Sequence, residues 1–340
     1  MTTYRALKKG LPVLVATIAI ACVVPTSDAA LRLPRSASEQ YTNSVYPHNA
    51  GDPAVLRAAD GTFYTYTTQT SADGTGPHLP VLRSSNLVDW TYVGDALPSL
   101  PGWALDGPNR DTWAPHVIAR AGGYYLYYSA RHAATGDMAI GVATASTPEG
   151  PFQPLGDPLV MGDSIDPFVM ESGGNLYMYW MVPREPIRAQ QLSDDGLELV
   201  GPRRTVLRPA PDRPYQKLIE GPWVVQHGGW YYLFYSGNHC CAPNPHYALM
   251  VARSRFPRRD FQRFDGNPIM SANSNFEAPG HNSVIRDAAG HFWTLYHAIS
   301  ADSNEVVRYL MLDRIRWRNG WPRINGGRGP SSTSKAAPQI

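Results

Sequence analysis

One phrase recurs five times along the chain: a glycine turn followed by a short aromatic strand. The copies span residues 61–66, 123–128, 174–179, 229–235 and 290–296, and their glycines lie 62, 51, 55 and 61 residues apart. A period of that length is too long for a short solenoid repeat. It suits one four-stranded blade of a propeller, with some long loops. Five copies therefore predict an all-β fold, a five-bladed β-propeller whose four-stranded antiparallel blades surround a central channel. Thirty Gly and thirty-one Pro supply the turns such a fold needs, and no long stretch carries a helical period.

Ahead of each turn stands a second recurring segment. These segments begin at Asp52, Ala114, Asp166, Glu220 and Gly280, and a proline follows the first position in three of them, Pro53, Pro115 and Pro167. Proline is tolerated at a strand start, where its missing N–H breaks no ladder. The apolar run after it reads as a buried strand that pairs with the aromatic one. If that hairpin is the innermost of each blade, then Asp52, Asp166, Glu220 and His281 converge at one rim of the channel. Singly, an Asp-Pro or Glu-Gly pair is an ordinary turn starter. Three acids at the same phase of one repeat ask for a use. Carboxyls held close raise one another's pKa, and a protonated acid facing an ionised base is what glycoside hydrolysis requires.

The N-terminus reads as a secretory signal over residues 1–29: Arg5, Lys8 and Lys9, then an apolar run over 11–24, then the small-residue stretch Ser27, Asp28, Ala29. Those charges account for the formal +2 of the whole chain. The mature protein is then near neutral, which argues against nucleic acid or an anionic membrane as partner. The expected product is a secreted monomer, free of membrane once the signal is removed. Residues 30–45 read as a linker, 46–325 as the propeller and 326–340 as a flexible tail. Beyond Cys22 in the leader, only the adjacent Cys240 and Cys241 remain. A vicinal disulfide and two free thiols are both open readings.

At this point the residues resemble glycoside hydrolase family 43, five-bladed propeller enzymes that act on arabinose- and xylose-containing polysaccharides by inversion. The resemblance covers nearly all of the mature chain. It rests on Asp52-Pro53, Trp113-Ala114-Pro115, Ile165-Asp166-Pro167, Ile219-Glu220-Gly221-Pro222 and Gly280-His281-Asn282-Ser283, with Gly320-Trp321-Pro322 closing the set. It implies that Asp52 is the general base that activates water, Glu220 the general acid, and Asp166 the residue that tunes and orients Glu220. It also places His281 at the floor of the site and Arg308 against the sugar. The family often carries a second Gly after the His, where this chain has Asn282. Related fructan-hydrolysing propellers place their carboxylates in other motifs, absent here.

Trp113 is a candidate sugar platform, with a core Trp between blades as the plain alternative. His116 reads as a structural residue. No cofactor is required. Ca²⁺ in the central channel is an option, with His281 as its candidate ligand, although a ring nitrogen is a poor partner for an ion that prefers oxygen. The expected substrate is plant cell-wall arabinan or arabinose side chains, by α-L-arabinofuranosidase or endo-1,5-α-L-arabinosidase action. A β-xylosidase and a non-catalytic carbohydrate-binding propeller are the alternatives.

Overall fold

Each glycine turn closes the hairpin between the first two strands of a blade. At the fourth copy Gly228 and Gly229 both have positive φ (55° and 74°), a region glycine enters without steric cost and that tight hairpins demand. The computed structural model describes residues 39–340 apart from 72–74, 109, 121, 242 and 304–305. The expected signal peptide and the start of the linker lie outside the described residues.

Five antiparallel sheets follow one another around the ring. Blade I comprises Ala54–Arg57, Phe63–Tyr66, Pro80–Ser84 and Thr91–Asp95. Blade II comprises Thr112–Arg120, Gly123–Arg131, Met138–Ala145 and Gln153–Pro154. Blade III runs through Ile165–Ser172, Asn175–Met181, Ile187–Leu192 and Leu199–Leu207. Blade IV runs through Ile219–His227, Trp230–His239, His246–Ser254 and Gln262–Arg263. Blade V has Phe276–Arg286, Phe292–Ser300 and Tyr309–Arg318, and its outer edge is made by two short strands. Tyr46–Asn49 pairs with the start of Tyr309–Arg318, and Trp321–Ile324 pairs with its end. The N-terminal strand thus closes the ring by hydrogen bonds.

The aromatic runs have a packing reason. The second strand of a blade is covered on both faces, so alternate residues go to opposite neighbours. Tyr128 packs with Tyr66 and Leu97 toward blade I, whereas Tyr127 packs with Val169 and Met178 toward blade III. In blade IV, Tyr232 and Phe234 face the blade V cluster while Leu233 and Tyr235 face blade III. Burying each such side chain stabilises the ring by about 1.5–3 kcal/mol.

Both chain ends depart from expectation. The segment 326–340, read as a flexible tail, is docked: Lys335 and Ala336 pair with Tyr41 and Gln40, and the Gln339 carbonyl accepts the Ala288 N–H at 2.7 Å. Part of the expected linker is structural too. Tyr41 is buried and donates to the Leu312 carbonyl at 2.8 Å, and the Asn43 side chain caps the same strand. The reason is apolar: Tyr41, Ala337 and Ile340 join Trp293 and Leu312 in one cluster, so the ends cover an otherwise open core. Cys240 and Cys241 form a disulfide. Among the described residues no helix is long and apolar enough to cross a membrane.

Candidate active site

At the inner end of every first strand, one residue takes left-handed backbone. These are Asp52, Ala114, Asp166, Gly221 and His281, with φ of 55°, 45°, 58°, 59° and 45°. In blades II to V the pairing with the second strand slips just beyond that residue, as in a β-bulge. For a non-glycine residue the conformation costs about 1–2 kcal/mol, so something must hold it. A ring of hydrogen bonds between blades does. The Ala114 N–H donates to Thr68 Oγ1 (2.9 Å), Asp166 N–H to Ser129 Oγ (3.1 Å), His281 N–H to Ser236 Oγ (2.8 Å) and Asp52 N–H to His297 Nδ1 (3.1 Å). The fifth position, opposite Ile165 in blade III, is Met181, which offers no oxygen. There the Gly221 N–H donates to the carboxylate of Asp166 instead, at 2.8 Å.

The ring corrects one sequence expectation. Asp52 and Asp166 share a phase with Ala114, Gly221 and His281, but Glu220 stands one residue earlier. It sits opposite Ser236, as Trp113 sits opposite Ser129 and Gly280 opposite His297. The proline after Gly221, rather than the Glu-Gly pair, marks the true alignment. The three acids still converge. Asp52, Asp166 and His281 line one narrow recess on the channel axis together with Pro115 and Pro222, so every blade contributes. The Asp166 carboxylate accepts from the amide next to Glu220.

Asp52 is buried among donors. Its Oδ2 accepts from Arg308 Nη1 at 2.9 Å and from the Thr68 hydroxyl, while Oδ1 lies 3.3 Å from both His281 Nδ1 and His297 Nδ1. Burial alone would raise its pKa, but Arg308, His281 and His297 together outweigh burial and hold it well below the usual range. A Cβ on Gly51 would lie 2.1 Å from the Arg308 guanidinium carbon, so a larger residue there would displace that side chain.

Asp166 and Glu220 go the other way. Burial pushes Asp166 up to about 7; His281 opposes this, and the charges of Glu220 and Asp52 add to it. Burial also pushes Glu220 up to about 7, against the hydrogen bond that Tyr247 donates to its Oε1 at 2.6 Å. Glu220 is nevertheless only half-buried. Tyr247 stacks parallel on His297, ring centroids 5.7 Å apart, so a partner of Glu220 lies against a partner of Asp52. Burial lowers the His297 pKa to about 4.

Trp113 is half-buried against the cluster that includes Met138, Ile165 and Ile219. His116 lines the same recess; it is buried, accepts the Val169 N–H on Nδ1 at 3.1 Å, and packs on Phe168 and Trp223. Asn282, where the family often has glycine, is buried and donates to Thr294 Oγ1 at 3.1 Å. The side chains at His281 offer ring nitrogens and one carboxylate oxygen within reach, whereas Ca²⁺ takes about six to eight oxygens. Waters would have to supply the remaining ligands of any Ca²⁺ bound there. Among the described residues no group of three or more His, Cys, Asp or Glu side chains is arranged to hold a metal.

Sequence reasoning missed Thr68, His297 and Tyr247. The first two had a signal. Counting seven residues past Gly61, Gly122, Gly174, Gly229 and Gly290 gives Thr68, Ser129, Met181, Ser236 and His297, the inter-blade acceptors and their one exception. Tyr247 had none, because it reaches Glu220 from a third strand with no repeat mark.

Comparison with known proteins agrees with this geometry. The chain is 28% identical over 305 residues to a probable arabinan endo-1,5-alpha-L-arabinosidase A of Aspergillus flavus, covering 81% of this chain and 91% of the relative. It is 27% identical over 308 residues to an extracellular exo-alpha-(1->5)-L-arabinofuranosidase of Cellvibrio japonicus, covering 81% and 86%. The crystal structure of a thermostable family-43 glycoside hydrolase superposes with a TM-score of 0.77 at 30% identity, covering 88% of this chain and 99% of that one. Residues 41–322 match the sequence pattern of glycosyl hydrolases family 43, and with five blades converging three carboxyls on one axis, the chain belongs to that family and is a glycoside hydrolase.

Proposed function

We propose that the protein is a secreted, inverting hydrolase of arabinan or of its arabinose side chains. The feature that carries this reading is a pair of carboxyls at one rim whose surroundings shift their pKa values in opposite directions. Asp52 is held ionised by Arg308 and its histidine neighbours, and Glu220 is held protonated near neutrality by burial. In the proposed reaction Asp52 takes a proton from water as the water oxygen bonds to the anomeric carbon. The glycosidic C–O bond breaks, and Glu220 gives its proton to the departing oxygen. Asp166 positions Glu220 through the Gly221 amide, and its charge, once formed, disfavours ionisation of the acid. Arg308 orders the base with one nitrogen and keeps others for a sugar hydroxyl. Trp113 is the proposed platform for a sugar ring at the mouth.

Arabinan is favoured because the A. flavus and C. japonicus relatives are named for α-1,5-arabinan chemistry. Secretion rests on the leader-like N-terminus and on the latter relative, named extracellular. Proton NMR of linear arabinan hydrolysis tests the stereochemistry: the first-formed sugar should carry the inverted anomer, and a retained anomer ends the reading. Glu220→Ala should lose at least about 10²-fold on arabino-oligosaccharide yet far less on a dinitrophenyl arabinoside, whose leaving group needs no proton. Asp52→Ala should lose equally on both. Faster turnover of a β-xyloside than of either arabinose substrate would move the assignment to xylan.

A further inference from the structure

The described chain is close to neutral, yet one outer edge collects arginines without carboxylates. On Tyr309–Arg318 the alternate residues Arg316 and Arg318 are exposed, while Ile315 and Trp317 face the core. The partner strand Trp321–Ile324 places Arg323 directly opposite Arg316 and Trp321 opposite Arg318. Two like charges facing each other across a ladder are unfavourable, and among the described residues neither forms an ion pair with a carboxylate. The stripe continues onto blade IV. The Arg253 guanidinium lies between Trp321 (4.2 Å) and Trp230 (4.3 Å), and Arg255 covers Trp230 at 3.7 Å. None of these five arginines takes part in an ion pair among the described residues. Aromatic faces hold three of them, Arg253 and Arg255 on the tryptophans and Arg323 over Phe264 at 5.3 Å, without neutralising their charge. The strand runs about ten residues from Arg308 to this edge, so the stripe lies roughly 30 Å from the carboxylates, at the opposite end of the blade.

We propose that this stripe is a second glycan-binding surface, and that its ligand is a polyuronate, a polysaccharide bearing a carboxylate on each sugar. Guanidinium forks match carboxylates bidentately where lysine ammonium does not. The exposed edges of Trp230 and Trp321 offer apolar contact to the rings between those carboxylates. The choice of a glycan over other polyanions rests on the arabinan reading: an enzyme that trims neutral side chains gains by holding an acidic backbone that carries them. The surface would anchor the enzyme without entering the catalytic step.

The test is affinity electrophoresis of the whole protein in gels containing polygalacturonate, with debranched arabinan activity measured in parallel. Retardation at low salt is expected, lost at about 0.5 M NaCl, where screening acts within about 4 Å. Arg316→Glu should weaken retardation at least about fivefold, since it changes the local charge by two units. The same change turns an opposed like-charge pair into an ion pair with Arg323, so thermal stability should hold or rise. Arabinan activity should be unchanged. An unretarded wild type, or an Arg316→Glu protein retarded as strongly as wild type, overturns the proposal. Tighter retention by duplex DNA than by polygalacturonate overturns the glycan assignment. Retention by polygalacturonate in a protein inactive on arabinan would instead leave the surface standing and sink the arabinan reading.

Discussion

Asp52 and Asp166 occupy the same place in two blades. Each precedes a proline, has φ near 55°, lies on the channel recess and is about equally buried, at 7% and 6% exposure. Their protonation preferences are nevertheless opposite. Burial raises both, so burial cannot be what separates them. The difference lies in what the neighbouring blade supplies. Blade V gives Asp52 a guanidinium and two imidazoles. Blade IV gives Asp166 one backbone N–H and a third carboxyl. The repeat builds two similar sockets, and the side chains around each push the pKa values of the two carboxyls apart.

The strongest way to break this contrast is to remove the cation. In Arg308→Met the Asp52 carboxylate stays buried while its ion pair is lost, and breaking such a pair costs about 3–5 kcal/mol. Asp52 should then titrate upward, toward the behaviour of Asp166. The acidic limb of the pH–rate profile should move to higher pH, and kcat/KM near neutrality should fall by about 10²-fold or more. An acidic limb that stays in place would show that the histidines and Thr68 alone keep Asp52 ionised.

A subtler substitution reaches the same pair through the backbone. The added methyl of Gly51→Ala would overlap the Arg308 guanidinium, so the arginine must swing away from Asp52. The shift of the acidic limb should have the same sign with a smaller loss, about tenfold. The two changes act on one contact, so the double variant should be no worse than Arg308→Met alone. Additive losses would mean that Gly51 matters for another reason.

Why some of this was legible in the sequence and some was not follows from the same repeat. Five glycine turns with aromatic strands disclosed blade number and strand order, because each blade must bury both faces and each hairpin needs left-handed residues. Asp52 and Asp166 were visible because a proline marks their phase. Glu220 was found one residue out of register, since its proline follows Gly221. The chain ends were misread because Tyr41 and residues 335–340 carry too few apolar residues to show a period. They are ordered only by the core they cover. Tyr247 acts across strands, through a contact that no repeat position marks.

On the acid side, Asp166→Asn removes charge while leaving an oxygen able to accept the Gly221 N–H. Glu220 raises the Asp166 pKa, and the coupling is mutual, so loss of the Asp166 charge should make Glu220 easier to ionise. The basic limb should move to lower pH, with a loss of about tenfold at the optimum. An unchanged profile at near-normal rate would reduce Asp166 to a structural residue.

Tyr247→Phe should move the same limb the opposite way, with the smallest loss. The Tyr247 hydroxyl donates to Glu220 at 2.6 Å and so stabilises the ionised acid. Without it the carboxylate is both less solvated and unbonded, and its pKa rises. In the proposed reaction Glu220 acts in the protonated form, so the range of active enzyme should extend upward and the basic limb should move to higher pH. At the optimum the rate should fall only a few-fold, because a weaker acid transfers its proton less readily and is held less firmly. Phenylalanine preserves the parallel stack on His297, so Asp52 should keep its acidic limb, which serves as the internal control. A basic limb that moves down, or an acidic limb that moves with it, would show that Tyr247 acts through His297 on the base rather than through its hydroxyl on the acid.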